Sequence, residues 1–324
     1  MSAASASPAR KSFVVSQELV LLIVLVAALA VLSVTAERFM TVGNLLNQGR
    51  LMTEVALVAL PMTFVIITGG IDLSVGSIMG LTAILLGVFW QNVGLPLPLA
   101  VVAAIACGAL AGAFNGLLIT RLRVPPLIMT LATLALFRGL AEGISQARSV
   151  RGYPEWFFVL GQGEVLGVPT QLWILAVAVA IFWLALSRTT FGRSLYAIGH
   201  NETAARYSAI KVDRIKLVVY TLSGLMAGFA GAIFVSRVST TRSDMGTGLE
   251  LDVIAAVVLG GTSIFGGVGT IAGTVLGFTL IQLLKNGLAL TGVKGDATIV
   301  VIGTVLILSI LVTNFLQHRR GSDG

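Results

Sequence analysis

Cysteine, histidine and charge are scarce in this chain of 324 residues, and each scarcity removes a class of explanation. The single cysteine, Cys107, excludes a disulfide framework within the chain; lying in the apolar run 99–120, it is expected to be a buried, inert thiol. The two histidines, His200 and His318, have no second metal ligand nearby in sequence, so no zinc site is expected. No G-x-S-x-G or H-E-x-x-H run occurs, which leaves hydrolytic chemistry without its usual groups. No G-x-x-x-x-G-K-[ST] phosphate loop occurs either, so the chain is expected neither to hydrolyse ATP nor to need a cofactor. Charged residues make up 11% of the sequence, whereas an ordinary soluble domain carries about 25%. Buried carboxylates in the number a proton relay needs are missing, since Glu54, Glu142 and Asp252 are expected near span ends, in water.

What fills the sequence instead is apolar. Hydrophobic residues make up 56%, and the mean hydropathy is +0.98. A helix needs ~20 such residues to cross the hydrocarbon core of a bilayer, and long, unalternating runs exclude a barrel. The fold class is therefore an all-α, polytopic transmembrane helical bundle. It has about ten spans, read at residues 19–36, 51–68, 73–90, 96–120, 125–145, 171–187, 217–236, 251–265, 268–290 and 297–316. Some of these helices are broken by glycine, of which there are 37; glycine also permits close helix packing. The organisation is a polar tail over 1–18, a transmembrane domain over 19–316 containing a polar loop at 187–216, and a short tail over 317–324.

The net charge of +7 fits arginine and lysine retained on the cytoplasmic side of a membrane better than a nucleic-acid partner. If Arg10 and Lys11 lie in the cytoplasm and the spans alternate, then Arg121 and Arg123, the basic loop, and Arg319 with Arg320 all fall on that side. Both termini are then expected to be cytoplasmic, and the surrounding partner is membrane lipid. Arg138 and Lys285 fall within spans and are expected near an end or facing the bundle. The largest outer segment, 146–170, carries Tyr153, Trp156, Phe157 and Phe158, expected to form an interfacial aromatic belt, with contact to an outer partner or substrate as the other reading.

Two glycine-rich breaks interrupt the apolar runs. In the first, Gly69 and Gly70 can unwind the backbone before Asp72, and Ser74, ahead of Gly76, can cap the helix that follows. A carboxylate amid long apolar runs needs a reason, and broken helices commonly line transport paths. The plainer reading is a cytoplasmic turn in which Asp72 stabilises a helix N-terminus. The second break is LGGTSIFGGVGTIAG, with Gly266 and Gly267 at its centre. The pattern of residues 75–80 matches that of 268–273, a hint of internal duplication. Asn115, Thr130 and Thr133 sit inside spans, where a hydrogen bond between helices and a path-lining role are both open.

The longest polar passage is the loop 187–216, with Arg188, Arg193, Arg206, Lys211, Arg214 and Lys216 opposed by Glu202 and Asp213. Asn201 can cap a short helix through Ala204, Ala205 and Arg206, and Glu202 is placed to pair with Arg206 at i,i+4. Such a helix, held by two spans, offers a rigid knob to a groove in another protein. A solvated loop that merely sets topology is the competing view.

At this loop the chain resembles ABC-type sugar-importer permeases of the ribose permease family. The resemblance rests on Phe191-Gly192-Arg193, Ala197-Ile198-Gly199-His200-Asn201-Glu202, Ala204-Ala205-Arg206 and Ser208-Ala209-Ile210. It extends to GGIDLSVGS at 69–77 and to the glycine run at 255–270, and covers roughly residues 39–316. Arg242-Ser243-Asp244 and the loop at Tyr153-Pro154 look most like permeases for autoinducer-2 or rhamnose. Ala209 departs from the glycine of many members and is expected to keep a helical backbone.

The resemblance implies a permease subunit in a bacterial inner membrane that moves a monosaccharide of the rhamnose, ribose or autoinducer-2 type by alternating access. Its implied partners are two cytoplasmic ATP-binding subunits, a second permease (identical or sister) and a periplasmic sugar-binding protein. Arg193, Gly199, Asn201, Glu202, Ala204, Ala205, Arg206 and Ser208 would couple to the ATPase. Gly69, Gly70, Asp72, Ser74, Gly76, Asn115, Gly266 and Gly267 would belong to the translocation path. The alternatives are a stand-alone secondary sugar transporter and a membrane scaffold that binds a partner without moving solute.

Overall fold

The structure, a computed structural model, describes residues 17–293 together with Ala297, Val300, Gly303 and Thr304. The chain runs through α1 (Gln17–Thr35), α2 (Val42–Ile67), α3 (Val75–Gly87), α4 (Leu97–Arg121) and α5 (Pro126–Ser145). After a short α6 (Val159–Gln162) come α7 (Thr170–Arg188), α8 (Thr190–His200), α9 (Glu202–Tyr207), α10 (Val212–Val238), α11 (Leu249–Leu259) and α12 (Ile271–Leu290). Between α6 and α7, β1 (Glu164–Val165) and β2 (Val168–Pro169) form a small antiparallel hairpin, Glu164 facing Pro169. The molecule is thus an all-α polytopic bundle, and eight of the described helices are long and apolar enough to cross a membrane, α3 being continued to Asn92 by the π-helical turn Val88–Asn92.

The most buried of these helices are α2, α3 and α10, whereas α1, α4, α5 and α7 expose most of their apolar surface. Helix α10 lies against α4 at backbone contact. A Cβ on Gly224 would fall 2.7 Å from the Gly112 nitrogen, so glycine sets how near these helices come. Helices α2 and α12 are joined by polar pairs instead: Asn44 with Asn286 through two hydrogen bonds of 2.8 and 3.1 Å, Gln48 with Gln282 at 2.9 Å, and Thr63 with Thr274 at 2.8 Å. A polar side chain in lipid surroundings is costly unless paired, and here each meets a partner on the facing helix.

Several expectations change. Helix α2 begins at Val42, capped by Thr41, nine residues before the apolar run suggested. Its first turns look polar in sequence, yet Asn44 and Gln48 are used in the seam with α12. That extension puts Glu54 inside the helix rather than near an end. It is buried and paired with Arg237 at 2.7 Å instead of being solvated. Asp252 is likewise paired, with Lys285 at 2.5 Å.

In place of the expected span 251–265 stands only the eleven-residue α11, which ends at Leu259. At 1.5 Å per residue it reaches about 16 Å, short of the ~30 Å hydrocarbon core. The expected span at 297–316 lies largely outside the described residues, so about ten spans are not reached among those described. The patterns at 75–80 and 268–273 also do not occupy matching places. The first starts a helix at Val75, while the second precedes Ile271, the first residue of α12, by three.

The aromatic belt gives way to packing. Tyr153 and Phe157 are buried, Tyr153 stacked on Trp90 with centroids 4.5 Å apart, and only Trp156 of the four is strongly exposed. The 3₁₀ turn Glu155–Phe158 throws its residues to different sides, so one aromatic meets the core while its neighbour faces out. Cys107 is half-buried rather than fully enclosed.

Candidate functional site

The first glycine break is held shut from within. Asp72 is fully buried, and its Oδ1 accepts from the Ser74 amide at 3.0 Å and the Ser74 hydroxyl at 2.6 Å. Its Oδ2 accepts from the Ser223 hydroxyl of α10 at 2.8 Å. Asn115 of α4 donates through Nδ2 to the Ser74 oxygen at 2.8 Å. Asp72, not Ser74, therefore caps α3; the Ser74 hydroxyl makes no capping bond. Ser223 lies eleven residues into α10, roughly 16 Å along its axis, which places Asp72 inside the bundle rather than in a surface turn. The Tyr220 hydroxyl sits against Gly70, buried and without a hydrogen-bond partner among the described residues.

Of the residues expected on the path, Asp72, Ser74 and Asn115 are brought together in this clasp. Gly76 sits one turn further, where a Cβ would strike the Gly246 carbonyl and the Glu250 carboxylate. The Thr130 hydroxyl lies 2.9 Å from the Pro126 carbonyl of its own helix and 3.1 Å from the Ile71 carbonyl of the break, whereas among the described residues Thr133 reaches only carbonyls of its own helix.

The two glycine breaks meet. The Gly267 amide donates to the Ile67 carbonyl at 2.9 Å. Gly69, Gly266 and Gly267 hold φ of 77°, 88° and 77°, in the left-handed region that favours glycine. The end of α8 lies directly on this junction. A Cβ on Gly199 would strike both the Ile67 carbonyl and the Gly267 amide, so no side chain fits there. The His200 ring covers Gly267. Residues that are far apart in sequence thus form a single backbone contact between α8 and both breaks.

From that contact α8 turns into α9. Thr189 caps α8, and Asn201 caps α9 by accepting from the Ala204 amide at 2.9 Å, as its sequence position suggests. Arg206 pairs with Glu202 at 2.8 Å and with Asp213 at 2.5 Å, and Lys216 reaches Glu202 at 2.6 Å. Burial alone would push the Glu202 carboxyl up, but its hydrogen bonds to Lys216 and Arg206 outweigh this and hold it below the ordinary glutamate range. The same carboxylates, Asp213 first and then Glu202, hold the Arg206 guanidinium above its ordinary value.

The two faces of the α8–α9 hairpin differ. Ala205 is buried with Ile198 and Val212, so it seats α9 on the protein rather than facing outward. Arg193, Asn201, Ala204, Arg206 and Ser208 are exposed. Tyr207, which no motif singled out, is 89% exposed at the end of α9. Ala209 leaves the helix at φ 61°, not in the helical conformation expected of it.

Arg138, expected in a span, faces the bundle. Its Nη1 donates to the carbonyls of Ser243 and Met245 (2.9 Å to the latter), and its Nη2 donates to the Gly76 carbonyl at 3.3 Å. One guanidinium therefore joins α5, the start of α3 and the 243–246 turn. A cation with several backbone acceptors is one of the few forms in which arginine is tolerated at membrane depth.

Eight membrane-length helices, two internal breaks and a polar hairpin against them describe a membrane permease, and comparison with known proteins agrees. A family model described as branched-chain amino acid transport system / permease component matches residues 44–310. The chain belongs to this permease family. The ribose import permease protein RbsC of Escherichia coli strain K12 is 42% identical over 305 residues, covering 91% of this chain and 93% of that protein. RbsC of Bacillus subtilis strain 168 is 41% identical over 284 residues, 87% and 88% of the two chains. The autoinducer 2 import system permease protein LsrD of Escherichia coli O9:H4 is 37% identical over 309 residues, 94% and 93%. No solved structure matches. The permease is a transport component of the membrane rather than an enzyme, and its bundle is multi-pass.

Proposed function

We propose that this permease is the membrane-spanning subunit of an ATP-driven importer that carries a monosaccharide, of the ribose or autoinducer-2 type, across the bacterial inner membrane. The relatives are named for ribose and autoinducer-2 import, which supports a small sugar as substrate. The observation that carries the reading is the contact of Gly199 with both glycine breaks. A partner that grips the α8–α9 hairpin has a direct hold on the segments beside the buried clasp at Asp72. ATP binding and hydrolysis belong to two cytoplasmic subunits docked on the hairpin, one to each of two permeases, and a sugar-binding protein delivers substrate on the outer side. The hairpin and both termini are cytoplasmic in this arrangement, and the 146–169 segment is outside. Movement of the hairpin opens the clasp and switches access between the two sides.

The test is uptake of labelled ribose, rhamnose and autoinducer-2 in cells with and without the partner ATPase. ATPase-dependent accumulation of one sugar is expected. Accumulation indifferent to the ATPase would replace this reading with a stand-alone transporter, and a scaffold would move none.

A further inference from the structure

A cavity of about 400 Å³ opens at the far end of α3 and α5 from the hairpin. Its apolar side is built by Ile84, Val88, Ile144 and Val150. Gln91 and Asn92 stand at one rim, and Gln146, Arg148 and Ser149 at the other. We propose that this cavity is an outer holding site for a neutral sugar, occupied before the sugar passes into the bundle. The inference rests on the sugar-importer reading above and assigns that reading a site.

Three observations support it. The first is chemical. Amides and hydroxyls offer both donors and acceptors, as a ring of sugar hydroxyls requires, and the apolar wall suits the C–H face of the ring.

The second is position. Helix α5 reaches the cavity with its last turn, through Ile144, Ser145 and Gln146. Glu142 is exposed there, and nothing lies within 4 Å of where a Cβ on Gly139 or Gly143 would stand. A carboxylate in the last turn of a membrane helix belongs to the water-facing end of the span, and the cavity lies at that end. Below Ile84, one turn along α3, the Arg138 guanidinium lies against Gly80 and the Met245 carbonyl. The cavity therefore lies about one turn of α3 beyond the turn that Arg138 holds.

The third is the build of the rim. Val150 and Thr241 are locked by two hydrogen bonds, of 3.0 and 2.9 Å, and Gln91 donates to the Arg151 carbonyl at 2.8 Å. Gln146 and Ala147, just above, hold φ of 48° and 59° in succession, a conformation that side-chain-bearing residues seldom adopt.

The experiment uses the scarcity of thiols. With Cys107 replaced by serine, Ser149→Cys is modified by a membrane-impermeant thiol reagent in right-side-out vesicles of the full transporter. Ribose, rhamnose and autoinducer-2 are each added as protectants. Leu166→Cys, at the tip of the β1–β2 hairpin and 90% exposed, is the control. One sugar is expected to slow modification at position 149 several-fold and leave position 166 unchanged. Adding Gln146→Ala should raise the sugar concentration for half-protection on the order of 3–10-fold, as loss of one hydrogen bond predicts.

Uptake of a sugar that gives no protection would overturn the site while leaving the importer reading intact. Protection without uptake would keep the site and remove the importer reading. Stronger protection by ribose 5-phosphate than by ribose would overturn the neutral-sugar assignment in favour of an anion held by Arg148.

Discussion

Gly199 shows how much a single missing side chain can decide. A methyl group there collides with backbone on both breaks, and backbone cannot swing aside as a side chain can. Gly199→Ala should therefore reduce ATPase-dependent uptake at least tenfold while membrane levels of the protein stay near normal; unaltered uptake would separate the hairpin from the breaks. Asp72 and Asp244 provide a contrast in burial. Asp72→Ala leaves the Ser74 and Ser223 hydroxyls without their acceptor in a closed site, at about 1–3 kcal/mol for each unsatisfied group. Asp244 pairs with Arg242 in the open. Such exposed pairs contribute little, because water screens them. Thermal unfolding in detergent should rank the Asp72 variant well below the Asp244 variant, with transport following the same order. Ala209 is strained at φ 61°, a region that costs a non-glycine residue about 1–2 kcal/mol. Ala209→Gly should stabilise the hairpin, seen as slower proteolysis between α9 and α10.

At the scale of the element, the α8–α9 hairpin is a small unit with its own core and its own charge network. Glu202 is held below its ordinary value, so its pairing contributes at any pH above the unfolded carboxyl range and is lost as pH falls through the lowered folded value. Protease resistance of the hairpin should then be flat from neutral pH down to about 5 and decline below about 4. A decline already at pH 6 would point to a different group. Because Tyr207 touches almost nothing, Tyr207→Ala should leave stability within about 0.5 kcal/mol. It should nevertheless weaken co-purification with the ATPase, as loss of an exposed aromatic anchor does at interfaces. Normal co-purification would place the docking contact elsewhere on the hairpin.

Across the whole molecule, the pairs Asn44–Asn286, Gln48–Gln282 and Thr63–Thr274, with the Gly267–Ile67 bond, bind α2 to α12 along their length. These helices should move as one body. Cysteines at positions 48 and 282, in a chain lacking Cys107, should cross-link on oxidation with uptake retained. Inactivation by the cross-link would mean that the two helices slide during transport.

Much of this was legible in the residues. Scarce charge and long apolar runs require a helical bundle, because in lipid the backbone must satisfy itself within each segment. Asn201 and Glu202 read correctly as cap and i,i+4 partner, because both interactions span fewer than five residues. The short α11, the early start of α2 and the burial of Glu54 were not legible, since each depends on what lies opposite in another helix. The same holds for Ala205, expected among the residues that couple to the ATPase and buried in the structure, and for Arg138, whose acceptors are carbonyls more than sixty residues away in sequence. By itself the sequence determined the membrane bundle, the two flexible breaks and the polar hairpin, because composition, glycine and local spacing act within a few residues. Only the tertiary structure decided that hairpin and breaks touch at Gly199, and that a polar cavity stands above Arg138. Contacts between distant segments are set by packing, which one-dimensional patterns do not contain.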